Sequence, residues 1–275
     1  MVTYQEVREN EDIKTYIKMA DETMASMRFT EHSFAHVVRC ADVAGGILEK
    51  LGYDERTVEL AQIAAYMHDI GNVVNRIDHA QSGAVMAFRL LDKMGMKAEE
   101  ISRIVTAIGN HDEKTAFPVN EVAAALIIAD KSDVRRSRVR AEERATISED
   151  IHDRVNYAVE KSKLVLDTDS KKFTLYLTVD ETISRISEYF EIFMERMLLC
   201  RRSAKYFGAE FEVNINGVVV MYQVKNRVVC AARVCFVHKC MPKINCYKTV
   251  IFAKLPKKYM IKLFWKMVKK ITILR

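Results

Sequence analysis

The stretch Ala64-Ala-Tyr-Met-His-Asp-Ile-Gly71 places a histidine and an aspartate at the end of a nearly unbroken apolar run. Apolar residues at helical spacing precede it, so a buried helix is predicted to end near His68 and Asp69. An ionised carboxylate in such surroundings is costly unless another charge or a metal ion compensates it. The stretch therefore indicates a helical fold built around buried polar groups.

Two further polar groups arise in a similar setting. Asp130 closes the apolar run Ala-Leu-Ile-Ile-Ala-Asp, and His36 lies within the helical run His-Val-Val-Arg-Cys-Ala. Several imidazoles and carboxylates placed in this way would compensate one another around a shared cation. Mixed nitrogen and oxygen ligands suit zinc, iron, manganese or cobalt better than calcium. We therefore expect a metal site inside the helical body.

Helical periodicity dominates the first half of the chain. Only 3 prolines and 9 glycines interrupt 275 residues, and glycines stand where several helices are predicted to stop. Helices are predicted over residues 10–27, 32–51, 54–69, 78–94, 98–109, 120–131 and 140–166.

The period changes after residue 170. Residues 172–179 alternate and are rich in β-branched and aromatic side chains, and residues 211–220 alternate again around an Asn-Gly turn signal. A long helix is predicted between them, over 181–205. The predicted fold class is therefore mainly α, a helical bundle with a small α+β appendage towards the C-terminal end.

Charge divides the chain near residue 213. All 37 acidic residues and 29 of the 43 basic residues lie in 1–212, whereas 14 lysines and arginines and no acid follow Glu212. Such a change indicates a compositional boundary. We predict a helical domain over 1–166, a strand–helix–strand appendage over 167–222 and a basic tail over 223–275, an atypical or disordered extension.

The basic tail leaves other roles open. Its cysteines match no usual zinc spacing, but its mixture of lysines with large apolar residues could contact an anionic membrane or nucleic acid. The N-terminus carries no signal-peptide pattern and no apolar run is long enough for a transmembrane segment, so we expect a cytoplasmic protein. Cys40 and Cys200 are interpreted as buried thiols.

The order His, His-Asp, Asp, with the first histidine in a His-x-x-Arg helix, resembles the HD superfamily of metal-dependent phosphohydrolases. The resemblance covers about residues 30–135, and it implies an HD-domain helical bundle as the fold. It also implies that four residues ligate the primary metal ion. These are His36, His68, Asp69 and Asp130.

Two more histidines extend the resemblance. His79 lies in Asp-His-Ala-Gln-Ser-Gly-Ala and His111 in Ile-Gly-Asn-His-Asp-Glu, where HD subgroups that bind two metals place further ligands. In that arrangement Asp69 bridges the two ions. The subgroup that cleaves cyclic dinucleotides has lysine where this chain has Asn72, so that activity is not favoured.

The resemblance implies an enzyme that cleaves a nucleotide or another small phosphate ester with a metal-activated water. The cofactor is one or two divalent ions, chosen from iron, manganese, cobalt, zinc and magnesium. His68 and Asp69 are the predicted catalytic residues at the metal, and Lys131 and Arg135 are predicted to hold substrate phosphates. Arg39, one turn after His36, could do the same or orient a carboxylate.

Two alternatives remain open at this stage. The first is a non-catalytic HD module that binds a nucleotide or a partner protein and keeps a structural metal. The second is a protein that acts on a membrane or nucleic acid through its tail. A homodimer is compatible with either role, and with the enzyme.

Overall fold

The computed structural model of this protein describes residues 1–141, 147, 150–224 and 227–230. The chain divides into two units, Met1–Gly217 and Val218–Arg275. Predictions made for the basic tail beyond residue 230 lie outside the described residues. The domain limits that we placed at 166 and 222 stay predictions.

Helices make up most of the first unit, which confirms the predicted fold class. Six of them begin at a capping residue whose side chain accepts a backbone N–H of the first turn, and Ser33, Asp54 and Asn120 are among these. The helices are α1 (Tyr4–Glu9), α2 (Glu11–Ser26), α3 (Phe34–Lys50), α4 (Glu55–Met67), α5 (His79–Lys93), α6 (Ala98–Gly109), α7 (Glu121–Lys131), α8 (Ile151–Ala158) and α9 (Ile186–Tyr206).

Helix α7 lies at the centre of the unit. Every residue from Val122 to Lys131 is buried, and the helix packs against α3, α4, α6 and α9. A helix that is apolar on all sides can be stable only inside such a ring of neighbours. Its C-terminal end, which carries Asp130, is therefore held inside the protein rather than at the surface.

A short 3₁₀ helix, Ile70–Val73, follows α4 and turns the chain towards α5. Gly71 makes this turn possible, since a Cβ atom there would stand 2.0 Å from the carbonyl oxygen of His79 and 2.4 Å from the amide nitrogen of Gly83. The contact fixes the start of α5 against the end of α4. It brings His79 close to the His68-Asp69 pair.

A small sheet completes the first unit. Strand β1 (Val159–Asp167) pairs antiparallel with β2 (Lys172–Val179), and β2 pairs parallel with β3 (Glu210–Ile215). Helix α9 provides the crossover that a parallel pair requires. The strand predicted over 172–179 and the long helix after it are confirmed.

Of the described residues within the helix predicted over 140–166, only 151–158 are helical, so the prediction was wrong for 159–166 and for the described residues before Ile151. Helix α8 ends at Ala158, and residues 159–167 form β1. The run Glu-Lys-Ser-Lys does not alternate in a way that marks a strand. The conformation is decided by hydrogen bonding to β2, a contact that local sequence does not show.

The chain after β3 carries the predicted Asn-Gly turn. Asn216 and Gly217 have φ values of 52° and 82°, the left-handed backbone that asparagine and glycine adopt at lowest cost. In the second unit, β4 (Val218–Val224) pairs antiparallel with β5 (Arg227–Cys230). None of the helices in the described ranges has the length and apolarity that crossing a bilayer requires.

Candidate metal centre

The predicted ligands lie at the ends of helices or directly after them. His36 is in the first turn of α3, His68 and Asp69 follow the last residue of α4, and His79 begins α5. His111 comes two residues after α6, and Asp130 is in the last turn of α7. All six side chains are buried, although they come from five helices.

The two carboxylates and two of the imidazoles form the first half of the cluster. Asp69 Oδ2 lies 3.2 Å from His68 Nε2 and 3.6 Å from His36 Nε2, and Asp130 Oδ1 lies 3.4 Å from His36 Nε2. These distances are longer than most hydrogen bonds of their kind, and they surround a common point. The structure thus brings together the four residues predicted for the primary metal.

The other two histidines face the second oxygen of Asp69. His79 Nε2 is 3.5 Å and His111 Nε2 is 3.9 Å from Asp69 Oδ1, and the two Nε2 atoms are 3.2 Å apart. Asp69 therefore presents one oxygen to each half of the cluster. That is the geometry a bridging carboxylate needs.

The same ring nitrogen anchors all four imidazoles. In each ring Nδ1 contacts an oxygen acceptor, which assigns the proton to Nδ1 and turns the Nε2 lone pair towards the carboxylates. The acceptors are Ala65 O for His68 at 2.7 Å, Ile108 O for His111 at 2.6 Å, Arg76 O for His79 at 3.1 Å and Asp133 Oδ2 for His36 at 2.8 Å.

Lone pairs and carboxylates that face one another need a positive charge between them. Without metal, burial disfavours the charged form of His68, but Asp69 and Asp130 outweigh this effect and raise the pKa of His68 to about 10. Burial also opposes ionisation of the two carboxyl groups, yet His68 lowers the pKa of Asp69, and Lys131 with the neighbouring histidines lowers that of Asp130. A proton on His68 then takes the place of the cation.

The donor set fits a divalent metal ion. His68 Nε2 is buried and has no hydrogen-bond partner of acceptable geometry among the described residues. Ligand atoms of His36, His68 and Asp130 lie within 4.8 Å of one another, and so do those of His68, Asp69 and His111. Imidazole nitrogen and carboxylate oxygen are the ligands that zinc, iron, manganese and cobalt accept together. The cluster can hold a metal ion.

Cys40 lies beside this cluster, with Sγ 3.6 Å from His36 Nδ1. Burial and the nearby Asp130 and Asp133 raise the pKa of its thiol well above the ordinary value. The thiolate is the form that ligates metals. Cys40 is a buried thiol, as the sequence indicated, and its Sγ lies within 4.8 Å of ligand atoms of His36, His68 and Asp130.

Asp133 contacts His36 at Nδ1, the ring nitrogen that does not face the cluster. Its Oδ2 accepts from His36 Nδ1, and its Oδ1 lies 3.0 Å from the Nε atoms of both Arg39 and Arg135. Arg39 thus orients a carboxylate next to a predicted ligand. Arg135 does not line the metal cavity, and its predicted role in catalysis stays a prediction.

Lys131 does reach the metal cavity. The side chain is buried, and its Nζ lies 2.6 Å from Asp130 Oδ2 and 3.4 Å from Glu113 Oε2. Glu113 in turn pairs with Arg196 of α9, whose Nε is 2.7 Å from Glu113 Oε1. Arg196 lines the cavity. Neither Glu113 nor Arg196 was predicted from the sequence.

The remaining cavity residues include three more that the sequence did not assign to the site, His32, Arg76 and Arg138. Arg76 Nη1 lies 3.3 Å from both His79 Nε2 and Asn72 Oδ1. Asn72 donates to Asp69 Oδ1 over 3.0 Å, so the residue that departs from the related subgroup touches a predicted ligand. The cavity itself measures about 10 Å³, room for a single water molecule.

Comparison with known proteins agrees with this geometry. The HD domain family model matches residues 33–156. An uncharacterized protein of Methanocaldococcus jannaschii is 26% identical over 159 residues, which cover 50% of this chain and 61% of that protein. The chain therefore spans less than two thirds of that relative.

A solved structure described as a predicted HD superfamily hydrolase, from an uncultured Thermotogales bacterium, is also similar. It shares 26% identity and a TM-score of 0.37, over 50% of this chain and 73% of the other. The family match spans His36, His68, Asp69, His79, His111 and Asp130. Residues 33–156 of this chain therefore match the HD domain family.

Proposed function

We propose that this chain is a metal-dependent phosphohydrolase that cleaves a nucleotide or another small phosphate ester. One observation carries the proposal. Asp69, Asp130, His79 and His111 line a cavity whose other charged groups are all cationic. His36 and His68 contact the same two carboxylates through Nε2. A metal ligand set and an anion-binding lining thus share one space.

The lining charges favour an anionic substrate. Two carboxylates, Asp69 and Asp130, face four cations in the cavity, and each divalent ion would add two positive charges. A phosphate ester supplies the negative charge that such a site lacks. The cations are Arg76, Lys131, Arg138 and Arg196.

Each residue has a proposed task. His36, His68, Asp69 and Asp130 hold the primary ion, while His79 and His111 hold a second ion with Asp69 as the bridge. A divalent ion in such a site lowers the pKa of bound water towards neutrality and neutralises charge on the phosphoryl oxygens. Lys131 keeps its charge beside Asp130 and can bind a substrate oxygen.

Arg76 is the lining cation best placed to move. Arg76 Nη1 contacts the Nε2 lone pair of His79, which His79 would donate to a metal ion if it were a ligand. Arg76 is partly exposed and lies between the 3₁₀ helix and α5. The cavity is too small for a phosphate group as it stands. We propose that Arg76 turns away from His79 to admit the ester and then binds it.

The test combines metal analysis with activity. Wild type loaded with Mn²⁺, Fe²⁺, Co²⁺, Zn²⁺ or Mg²⁺ is assayed against phosphomonoesters, dinucleotides and cyclic nucleotides. We expect turnover with at least one ion, and a metal content near two per chain if His79 and His111 are ligands.

Two variants give the contrast. Asp69→Ala should lose metal binding and activity together, whereas Asp42→Ala, on the exposed side of α3, should keep both. Metal bound at full stoichiometry with no turnover on any substrate class would contradict the enzyme and leave a non-catalytic metal module.

A further inference from the structure

We infer a second anion-binding site in this chain, which takes a phosphate-bearing small molecule and is separate from the metal cavity. It is a pocket of about 540 Å³ beside β1 and the segment after α7. Small-molecule sites have volumes in this range. No residue that lines this pocket also lines the metal cavity.

The pocket is strongly basic. Four of its lining residues are cations and a single one, Glu160, is acidic. The remaining positions bear hydroxyl groups. Ser162 Oγ donates to Ser132 O, which leaves the hydroxyl groups of Ser137 and Tyr157 to donate to phosphate oxygens. The cations are Arg39, Arg135, Arg136 and Lys161, and the hydroxyls belong to Ser137, Tyr157 and Ser162.

Contacts with Tyr157 fix the side chain of Arg136 at this pocket. Its Nε donates to the carbonyl oxygen of Tyr157 over 2.6 Å, and its guanidinium carbon lies 4.7 Å from the centre of the Tyr157 ring. Its Nη2 is 3.6 Å from Glu160 Oε1 and has no hydrogen-bond acceptor among the described residues. A buried guanidinium N–H without an acceptor is costly, and a phosphate oxygen would satisfy it.

A bulge in β1 directs Lys161 towards the same pocket. Val159 pairs with Val179 and Lys161 with Thr178, so Glu160 is an extra residue in the ladder. Bulges redirect side chains near functional sites. Both Glu160 and Lys161 are exposed as a result, and within the described ranges no carboxylate lies at ion-pair distance from Lys161.

The floor of the pocket connects to the metal centre. Arg39 and Arg135 line the pocket, and their Nε atoms hold Asp133, whose other oxygen holds His36. Asp133 therefore separates the two sites. An anion in the pocket would contact Arg39 and Arg135, which lie on the other side of Asp133 from His36, so its binding should need no metal ion.

The test measures binding of inorganic phosphate and of AMP to the full chain, by calorimetry at fixed ionic strength. Arg136→Gln and Lys161→Gln should each weaken binding about tenfold, the size expected for a charge-assisted hydrogen bond. Lys163→Gln is the matched control, since Lys163 is exposed on the same strand and does not line the pocket. It should bind like wild type.

The position of bound AMP is tested independently by lysine acetylation and mass spectrometry. AMP should protect Lys161 and leave Lys163 unprotected, with EDTA present throughout. Equal modification of both lysines with and without AMP would overturn the proposal. So would binding that is abolished by EDTA, since that result would place the anion at the metal centre.

Discussion

Asp133 Oδ2 lies 2.8 Å from Nδ1 of His36, and both side chains are buried. Burial opposes the ionised form of Asp133, but His36 and the neighbouring arginines outweigh it and hold the pKa of this carboxyl well below its usual range. The carboxylate therefore fixes the imidazole with Nε2 directed at the cluster. If His36 ligates a metal ion as proposed, Asp133 would influence the metal affinity without touching the ion.

Substituting Asp133→Asn should lower metal affinity about 10- to 100-fold, the range that such supporting carboxylates typically contribute. The amide can donate as well as accept, so it no longer fixes the tautomer of His36. Competition with a fluorescent chelator measures the change. Asp42→Asn is the control, and equal affinities for the two variants would show that Asp133 does not tune His36.

Arg196 is expected to act on the substrate rather than on the metal. Replacing it with Gln should lower kcat/KM about 10- to 100-fold, a loss of about 1.4–2.7 kcal/mol in transition-state stabilisation. Metal content should stay at the wild-type value. Arg196→Lys keeps the charge beside Glu113 and should recover part of the activity.

Arg202→Gln serves as the matched control, since Arg202 is exposed on the same helix, α9. A drop in metal content equal to the drop in activity in the Arg196 variants would assign this arginine to the structure of the centre instead.

The Glu113 carboxylate predicts how stability changes with pH. Burial opposes its ionisation, but Lys131 and Arg196 outweigh burial and lower the pKa of Glu113 well below the ordinary 4.5. A lowered pKa in the folded state means that unfolding takes up a proton as the pH falls below about 4.5. The stabilisation is complete above that pH and is lost as the pH falls towards the folded-state pKa.

Urea unfolding of the metal-free protein between pH 3 and 7 tests this slope. Glu113→Gln should flatten it, whereas Glu99→Gln, at an exposed position of α6, should not. The same slope in all three proteins would mean that Glu113 ionises equally easily in the folded and unfolded chain.

Gly71→Ala should prevent the close packing of the 3₁₀ helix on α5. The added Cβ would overlap backbone atoms of His79 and Gly83, so we expect a loss of about 3 kcal/mol or more in the free energy of unfolding. Gly46→Ala is the contrast, because its Cβ would meet nothing within 4 Å on α3. There alanine should stabilise the helix by up to about 1 kcal/mol.

Thermal melting of the two glycine variants ranks them against wild type. A Gly71→Ala protein that melts at the wild-type temperature would show that the backbone can separate at no cost.

Three of the six cluster residues stand out in the sequence for a physical reason, and the full set was predicted from the resemblance to HD proteins. His68, Asp69 and Asp130 follow runs of apolar residues, and a polar group at the end of a buried helix stands out from its neighbours. The helix ends near Gly52 and Gly95 were equally clear, since both glycines have positive φ. Local sequence was sufficient at these helix ends.

The other cavity residues left no comparable signal. Arg196 stands in Glu-Ile-Phe-Met-Glu-Arg-Met, which is an ordinary amphipathic run until α9 packs on α7. Glu113 and Arg76 lie in polar segments that predict exposed turns. Their positions depend on tertiary contacts, as does the conversion of residues 159–166 from predicted helix to strand.

Three of the four imidazole anchors are strictly local. His68, His79 and His111 each contact, through Nδ1, the carbonyl oxygen of the residue three positions earlier. These three rings are thus oriented once each helix end forms. The orientation of His36 depends on Asp133, which is distant in the sequence. The metal-free protein should therefore already present the Nε2 atoms of these three rings to an incoming ion.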